Sequence, residues 1–121
     1  MAIRVLVLDE DARFRRSLEV ELRRLGYEPA SFAHWSEALD YVERAPELDS
    51  VVTELALGEG PNGVSFAHMA LSRRPDLNFA FVTREEALAA HVDPQLGPVF
   101  LKGDGPERIA RAILESGPAE G

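Results

Sequence analysis

The chain has 121 residues, carries a formal net charge of −8 and contains no cysteine. A chain of this length suits one domain around a single core, the missing cysteine excludes disulfides and thiolate metal sites, and the acidic charge disfavours nonspecific binding of nucleic acid. No apolar run is long enough to span a membrane and no signal peptide is recognisable, so we expect a cytoplasmic protein without a membrane or nucleic-acid partner.

The first part of the chain alternates apolar runs with helical periodicity. Residues 3–8 form a run of valines, leucines and isoleucine that is typical of a buried strand. Apolar residues then recur at spacings of three and four, which predicts an amphipathic helix over residues 13–25 that ends at Gly26. A second strand is predicted over residues 28–32 and a second helix over residues 36–45.

The same alternation continues through the second part of the chain. Residues 49–55 form a buried strand that runs into a loop rich in glycine and proline. A helix is predicted over residues 63–74, a strand over residues 78–82, a short helix over residues 85–91 and a strand over residues 99–101. One further helix follows the last strand.

Strand and helix therefore alternate five times. This pattern predicts an α/β fold with a parallel sheet that is covered by helices on both faces. We expect one domain over residues 1–115 and a disordered tail over residues 116–121, which are rich in small and polar residues.

Polar side chains stand where four of the predicted strands end. Asp9 and Glu10 follow the first strand, Glu54 closes the third, Thr83 the fourth and Lys102 the fifth. Ligands of open α/β sheets bind at the carboxyl edge, where the ends of parallel strands meet. A carboxylate in an apolar strand also needs a partner. The sequence therefore predicts a pocket around Glu54 that holds three carboxylates, a hydroxyl and an ammonium.

Four motifs, in this order and at strand ends, resemble those of response-regulator receiver domains, the phospho-acceptor modules of two-component signalling. The motifs are VLVLDED at residues 5–11, DSVVTEL at 49–55, FVT at 81–83 and FLK at 100–102. The resemblance covers nearly the whole chain. It implies a flavodoxin-like (βα)5 fold, with a doubly wound parallel sheet of strand order 2-1-3-4-5.

The resemblance also implies a chemical role for each strand end. In the family, an acidic pair matching Asp9 and Glu10 holds Mg²⁺, and an aspartate at the position of Glu54 takes the phosphoryl group as an acyl phosphate. The hydroxyl matching Thr83 and the ammonium matching Lys102 bind the phosphoryl oxygens. The implied partners are a histidine kinase, a phosphotransfer protein or an output protein.

The chain departs from the family pattern at the positions that matter for this chemistry. Glu54 replaces the acceptor aspartate and extends the carboxylate by about 1.5 Å. Arg84 stands where a small residue normally gives phosphate access, and Val99 stands where the family often has its switch aromatic. We therefore interpret the chain as a degenerate receiver that is not an enzyme, is not phosphorylated and acts by protein contact. It needs no cofactor, and Asp9 and Glu10 bind Mg²⁺ weakly at best.

Several of these residues also suit purely structural roles. Acidic residues at positions 9–11 cap a following helix, and Asp11 is expected to do only that. Thr83 matches the first residue of a capping box as well as it matches a phosphate ligand. Lys102 either extends into solvent or forms a salt bridge, which we favour. Glu54 either pairs with Lys102 and holds one signalling state, which we favour slightly, or belongs to an inert pocket.

Two further functions remain as alternatives. The first is a working receiver that accepts phosphate inefficiently. The second is a phosphatase of the haloacid dehalogenase type, because residues 9–11 have its Asp-x-Asp form and Thr83 and Lys102 could serve as its later motifs. The phosphatase is disfavoured because further acidic metal ligands after Lys102 are not evident and the chain has no room for a cap domain.

Overall fold

A computed structural model describes residues 3–115 and contains one five-stranded parallel sheet with the order β2-β1-β3-β4-β5. The predicted fold class and strand order are confirmed. The tail predicted over residues 116–121 lies outside the described residues. The elements in chain order are β1 (Arg4–Leu8), α1 (Ala12–Arg24), β2 (Glu28–Phe32), α2 (Trp35–Arg44), β3 (Leu48–Glu54), α3 (Gly63–Arg73), β4 (Asn78–Thr83), α4 (Glu86–Ala89), β5 (Val99–Leu101) and α5 (Pro106–Glu115), with a 3-10 turn over Lys102–Asp104.

The sheet divides the apolar core into two layers. Alternate residues of β1 point to opposite faces, so that Leu6 packs on one side and Val7 on the other, and both are fully buried. The side of Leu6 is covered by α2 and α3, and Phe66 of α3 and Phe81 of β4 are its largest fully buried residues. The side of Val7 is covered by α1 and α5, whose Leu18 and Ile109 are buried there. This double coverage explains the continuous apolar runs of the central strands.

The strand order brings the predicted site together. β3 lies in the middle of the sheet, with β1 on one side and β4 on the other. Leu8 is level with Thr53, and Glu54 is level with Val82. The residues that follow β1, β3 and β4 therefore emerge at the same height along one edge of the sheet.

Side-chain caps set the starts of α1 and α3. α1 begins at Ala12 because the Asp11 side chain accepts hydrogen bonds from the backbone N–H groups of Arg13 and Phe14. The start of α3 is fixed in the same way, because Asn62 Oδ1 accepts from the Ser65 N–H at 2.8 Å. No helix within residues 3–115 is long and apolar enough to cross a membrane.

The helix predicted over residues 85–91 is only one turn long in the structure. α4 covers Glu86–Ala89, and its N-cap residue Glu85 makes no side-chain capping hydrogen bond. Without a capping side chain, and with Pro94 a few residues beyond, little favours further turns. The connection between β4 and β5 therefore follows the sheet edge mostly as turns and loops.

Candidate functional site

Lys102 forms a buried ion-pair cluster with two of the predicted carboxylates. Its Nζ atom lies 2.8 Å from Asp9 Oδ2 and 2.6 Å from Glu54 Oε1. The Lys102 and Asp9 side chains are each 2% exposed and that of Glu54 is 10% exposed. The salt bridge favoured from the sequence is thus present, and it joins the ends of β1, β3 and β5. We call these three residues the ion-pair cluster.

Neighbouring groups hold the ion-pair cluster in place. Asp9 Oδ1 accepts a hydrogen bond from the Asp11 N–H at 2.9 Å, and Glu54 Oε2 accepts one from the Ala56 N–H at 3.2 Å. The Lys102 ammonium lies 4.8 Å from the centroid of the Phe14 ring, which is a cation–π distance. Both oxygens of Glu54 are therefore engaged, one by a charge and one by the backbone.

Burial makes the charge on Asp9 costly. Desolvation raises the pKa of Asp9 above its usual value, although contacts with Lys102 and with the Asp11 N–H partly oppose that shift. Within residues 3–115, Asp9 Oδ2 has its ion pair with Lys102 but no partner at hydrogen-bond geometry. The ammonium is consequently the group on which the ionised form of Asp9 depends.

Glu10 does not join the ion-pair cluster, although the sequence predicted it as a pocket residue. It is exposed, and its carboxylate lies against the backbone of Gly58, where an added Cβ would meet Glu10 Oε2 at 2.6 Å. Gly58 also has a φ of +65°, which favours glycine. Glu10 therefore packs on the loop between β3 and α3.

Asp9 and Glu10, the predicted weak candidates for Mg²⁺, contact different neighbours in the structure. Among residues 3–115, no three His, Asp or Glu side chains are grouped closely enough to hold a metal ion. Asp9 faces Lys102 and Glu10 faces Gly58, so the acidic pair does not converge on one point. Mg²⁺ keeps several of its waters and binds through one or two carboxylates, so weak binding by Asp9 and Glu10 stays a prediction.

Thr83 is buried, but it is not the first residue of a capping box. Its Oγ1 accepts a hydrogen bond from the Glu85 N–H at 3.2 Å, while the N-cap position of α4 is Glu85 itself. The hydroxyl therefore stabilises the turn that leads from β4 into α4. It keeps the position at the strand end that the family resemblance assigns to a phosphate ligand.

Arg84 connects the loops on either side of β3. Its guanidinium lies 2.7 Å from Asp11 Oδ2, and its side chain is 64% exposed. Because β1 and β4 flank β3, this ion pair spans the end of the strand that carries Glu54. Asp11 thus has a second role beyond the predicted cap: its Oδ1 caps α1 and its Oδ2 holds Arg84.

Val99 and Phe14 are the remaining residues of the site, and only Val99 was expected there from the sequence. Val99 opens β5 level with Phe81 and is half-buried against the core, so an aliphatic side chain occupies the predicted switch position. Phe14 was missed as a site residue, because a phenylalanine on the apolar face of α1 has the same pattern as any core residue.

Comparisons with known proteins agree with the fold. No family model matches the sequence. The response regulator receiver protein CpdR of Brucella abortus (strain 2308) is 28% identical over 90 residues, which cover 74% of this chain and 73% of that protein. A receiver protein from Sinorhizobium medicae WSM419 is similar with a TM-score of 0.81 and 20% identity, over 94% of this chain and 93% of that one. The response regulator TrrA of Thermotoga maritima, solved in complex with Mg²⁺–BeF, has a TM-score of 0.81 and 19% identity, over 93% and 97% of the two chains.

Proposed function

We propose that this chain, a receiver domain of the response-regulator type, works in two-component or phosphorelay signalling by protein contact and without phosphorylation at Glu54. The observation that carries the proposal is the buried ion-pair cluster, in which Lys102 bridges Glu54 and Asp9. The partner is a histidine kinase, a phosphotransfer protein or an output protein, and the setting is the cytoplasm.

The state of the Glu54 carboxylate supports the absence of phosphorylation. A carboxylate nucleophile needs a free oxygen aligned with the phosphorus of the donor. Here one oxygen of Glu54 is 2.6 Å from the Lys102 ammonium and the other accepts the Ala56 N–H. Freeing the first oxygen breaks one of the two ion pairs of the buried Lys102 ammonium, and this loss opposes the reaction.

The same contact supports a fixed signalling state. In receivers the ammonium matching Lys102 binds a phosphoryl oxygen, whereas in this chain it binds Glu54 Oε1. The extra methylene of glutamate carries a negative oxygen towards the place that a phosphoryl oxygen would take. A carboxylate has less charge than a phosphoryl group, so the fixed state copies the contact with Lys102 and not the full charge.

Access and metal binding support the proposal independently. The Arg84–Asp11 ion pair spans the strand end above which a donor must approach. Mg²⁺ would supply charge neutralisation to phosphoryl transfer. We propose that Asp9 and Glu10 bind it weakly at best, because Asp9 is already paired with Lys102 and Glu10 lies against Gly58.

The test is intact mass spectrometry after incubation with acetyl phosphate and Mg²⁺. We expect the unmodified sequence to remain without a phosphoryl adduct. Glu54→Asp should gain little, because Arg84 still covers the strand end, and Glu54→Asp combined with Arg84→Ala should gain more. An adduct on the unmodified sequence, mapped to Glu54, overturns the proposal and favours the inefficient but working receiver.

The phosphatase alternative is separated by a turnover assay. In that mechanism Asp9 would be the nucleophile and Asp11 the general acid, but Asp9 is buried against Lys102 and Asp11 is held by the start of α1 and by Arg84. We therefore expect no hydrolysis of a generic phosphomonoester in the presence of Mg²⁺. Sustained hydrolysis that Asp9→Asn abolishes would contradict this expectation.

A further inference from the structure

An apolar groove of about 440 Å³ lies between the first turn of α3 and α4, beside the ion-pair cluster. It begins at Leu55 and Ala56, which directly follow Glu54, and Asn62 stands at its rim. We call it the α3–α4 groove. Its other lining residues are Val64, Leu88, His91 and Val92.

The α3–α4 groove exists because α4 is short. The helix is one turn long, over Glu86–Ala89, and packs Leu88 against the core, but it makes few contacts with α3. Val64, Leu88 and Val92 are consequently packed against the core on one side and only half-buried on the other. A cavity of this volume with a mainly apolar lining is in the range that binds ligands or partner side chains.

The surroundings of the groove are acidic. The two segments that border it, residues 56–72 and 85–101, contain no lysine or arginine. They carry four exposed acids, Glu59, Glu85, Glu86 and Asp93. Arg84, the basic residue nearest in sequence, is already paired with Asp11. Each of these acids lies within three residues in sequence of a residue that lines the groove. A cationic partner would therefore meet negative charge beside an apolar slot.

We propose that the α3–α4 groove is a docking surface for a partner helix that presents apolar side chains between lysines or arginines. Such a helix would lay its apolar stripe against Val64, Leu88 and Val92 while its basic residues meet the acidic rim, which is the helix-in-groove mode of recognition. The inference rests on the proposed role in signalling by protein contact and names the chemistry of the partner.

A helix docked in the groove would lie next to a residue that is hydrogen-bonded to the ion-pair cluster. Ala56 lines the groove, and its N–H donates to Glu54 Oε2. A helix that docks in the groove therefore contacts the residue that helps to fix the Glu54 carboxylate. A domain held in one state by the Glu54–Lys102 pair would accordingly present one fixed shape of the groove.

The experiment is an NMR titration of the full-length ¹⁵N-labelled chain with two synthetic helical peptides of equal length. The first has leucines spaced three and four apart between lysines, and the second has glutamates in place of the lysines. We expect the lysine peptide to cause saturable shifts at Val64, Leu88, His91 and Val92, and the glutamate peptide to cause none. Absence of saturable shifts at the groove with the lysine peptide overturns the proposal.

Two matched double variants separate docking from general attraction to an acidic protein. Glu85→Lys with Glu86→Lys reverses two rim charges and should weaken binding about tenfold. Glu37→Lys with Asp40→Lys makes the same charge change on α2, which α3 separates from the groove, and should leave affinity within about twofold. Equal weakening by both pairs overturns the proposal.

Further controls test the apolar contact in the groove and whether the bound molecule is a separate partner. Val92→Ala removes part of a half-buried side chain and should weaken binding at low and at high salt, because the apolar contact is not screened. If the groove resonances shift with protein concentration when no peptide is present, the groove binds a second copy of the chain. That result would overturn the assignment to a separate partner. A phosphoryl adduct at Glu54 would instead overturn the proposed function and leave the titration result in place.

Discussion

Replacing Lys102 with alanine tests the ion-pair cluster most directly. The substitution removes an ammonium that is 2% exposed and leaves Asp9 and Glu54 facing each other without a cation. Breaking a buried pair by removing one partner typically costs about 3–5 kcal/mol, because a charge remains in a poorly solvated place. Two carboxylates are left here, but Glu54 is 10% exposed and keeps its bond to the Ala56 N–H. We therefore expect Lys102→Ala to lower the free energy of unfolding by an amount at the lower end of this range, about 3 kcal/mol.

The measurement is the free energy of unfolding from urea denaturation at neutral pH. Arg111→Ala is the matched control, because Arg111 lies 4.0 Å from Glu107 and the two side chains are 64% and 72% exposed. An exposed pair of this kind contributes under about 1 kcal/mol. A Lys102→Ala midpoint that moves no more than that of the control would refute the reasoning, because it would mean that the Lys102 head is solvated.

A second substitution identifies the source of the cost. Glu54→Gln in the Lys102→Ala background removes one of the two uncompensated charges while keeping the size of the side chain. If charge burial dominates, this double variant should be more stable than Lys102→Ala alone, and the two substitutions should be strongly non-additive. Simple additivity would show that the cost comes from lost packing against Phe14.

Three smaller predictions concern other parts of the domain. Gly58→Ala should destabilise the fold by about 1–2 kcal/mol, because φ is +65° there. The added Cβ would also lie 2.6 Å from Glu10 Oε2, but combining the variant with Glu10→Ala, which removes that clash, should not abolish the cost. Burial raises the pKa of the Tyr27 hydroxyl, so the unfolded chain loses this proton first and stability should fall as the pH rises above about 10; Tyr27→Phe should flatten that decline in alkaline denaturation curves. An NMR titration should show no saturable shifts at Asp9 and Glu10 at low Mg²⁺ concentration, and saturation there would restore the metal site.

The strand ends could be predicted from the sequence because the geometry of parallel strands leaves little choice. Once the strands at residues 49–55 and 99–101 are recognised and their order is taken from the family resemblance, Glu54 and Lys102 must share one edge of the sheet. The side-chain spacing of a strand is fixed. The ion pair then follows from the cost of leaving either charge buried alone.

The positions of Glu10 and Arg84 depend on loop geometry, which has no such periodicity. Glu10 follows the strand by two residues and turns towards Gly58, whose positive φ no pattern in the sequence specifies. Arg84 was predicted to cover the site, but its ion pair with Asp11 joins residues 73 positions apart. The sequence predicts a short helix over residues 85–91, and in the structure it is the single turn Glu86–Ala89, preceded by a turn that the Thr83 hydroxyl stabilises.

The contact between Glu54 and Lys102 has a physical reason in the single methylene by which glutamate is longer than aspartate. Glu54 Oε1 reaches the Lys102 ammonium at 2.6 Å from the end of β3. An aspartate on the same backbone would end about 1.5 Å earlier, and if that difference lies along the direction of Lys102, its oxygen would leave hydrogen-bond range unless the lysine moved. The ammonium would then keep only Asp9 as a close partner and would have room for an oxygen supplied from outside. In this chain that place is filled from within, which favours a receiver that stays in one state and leaves recognition to its surface.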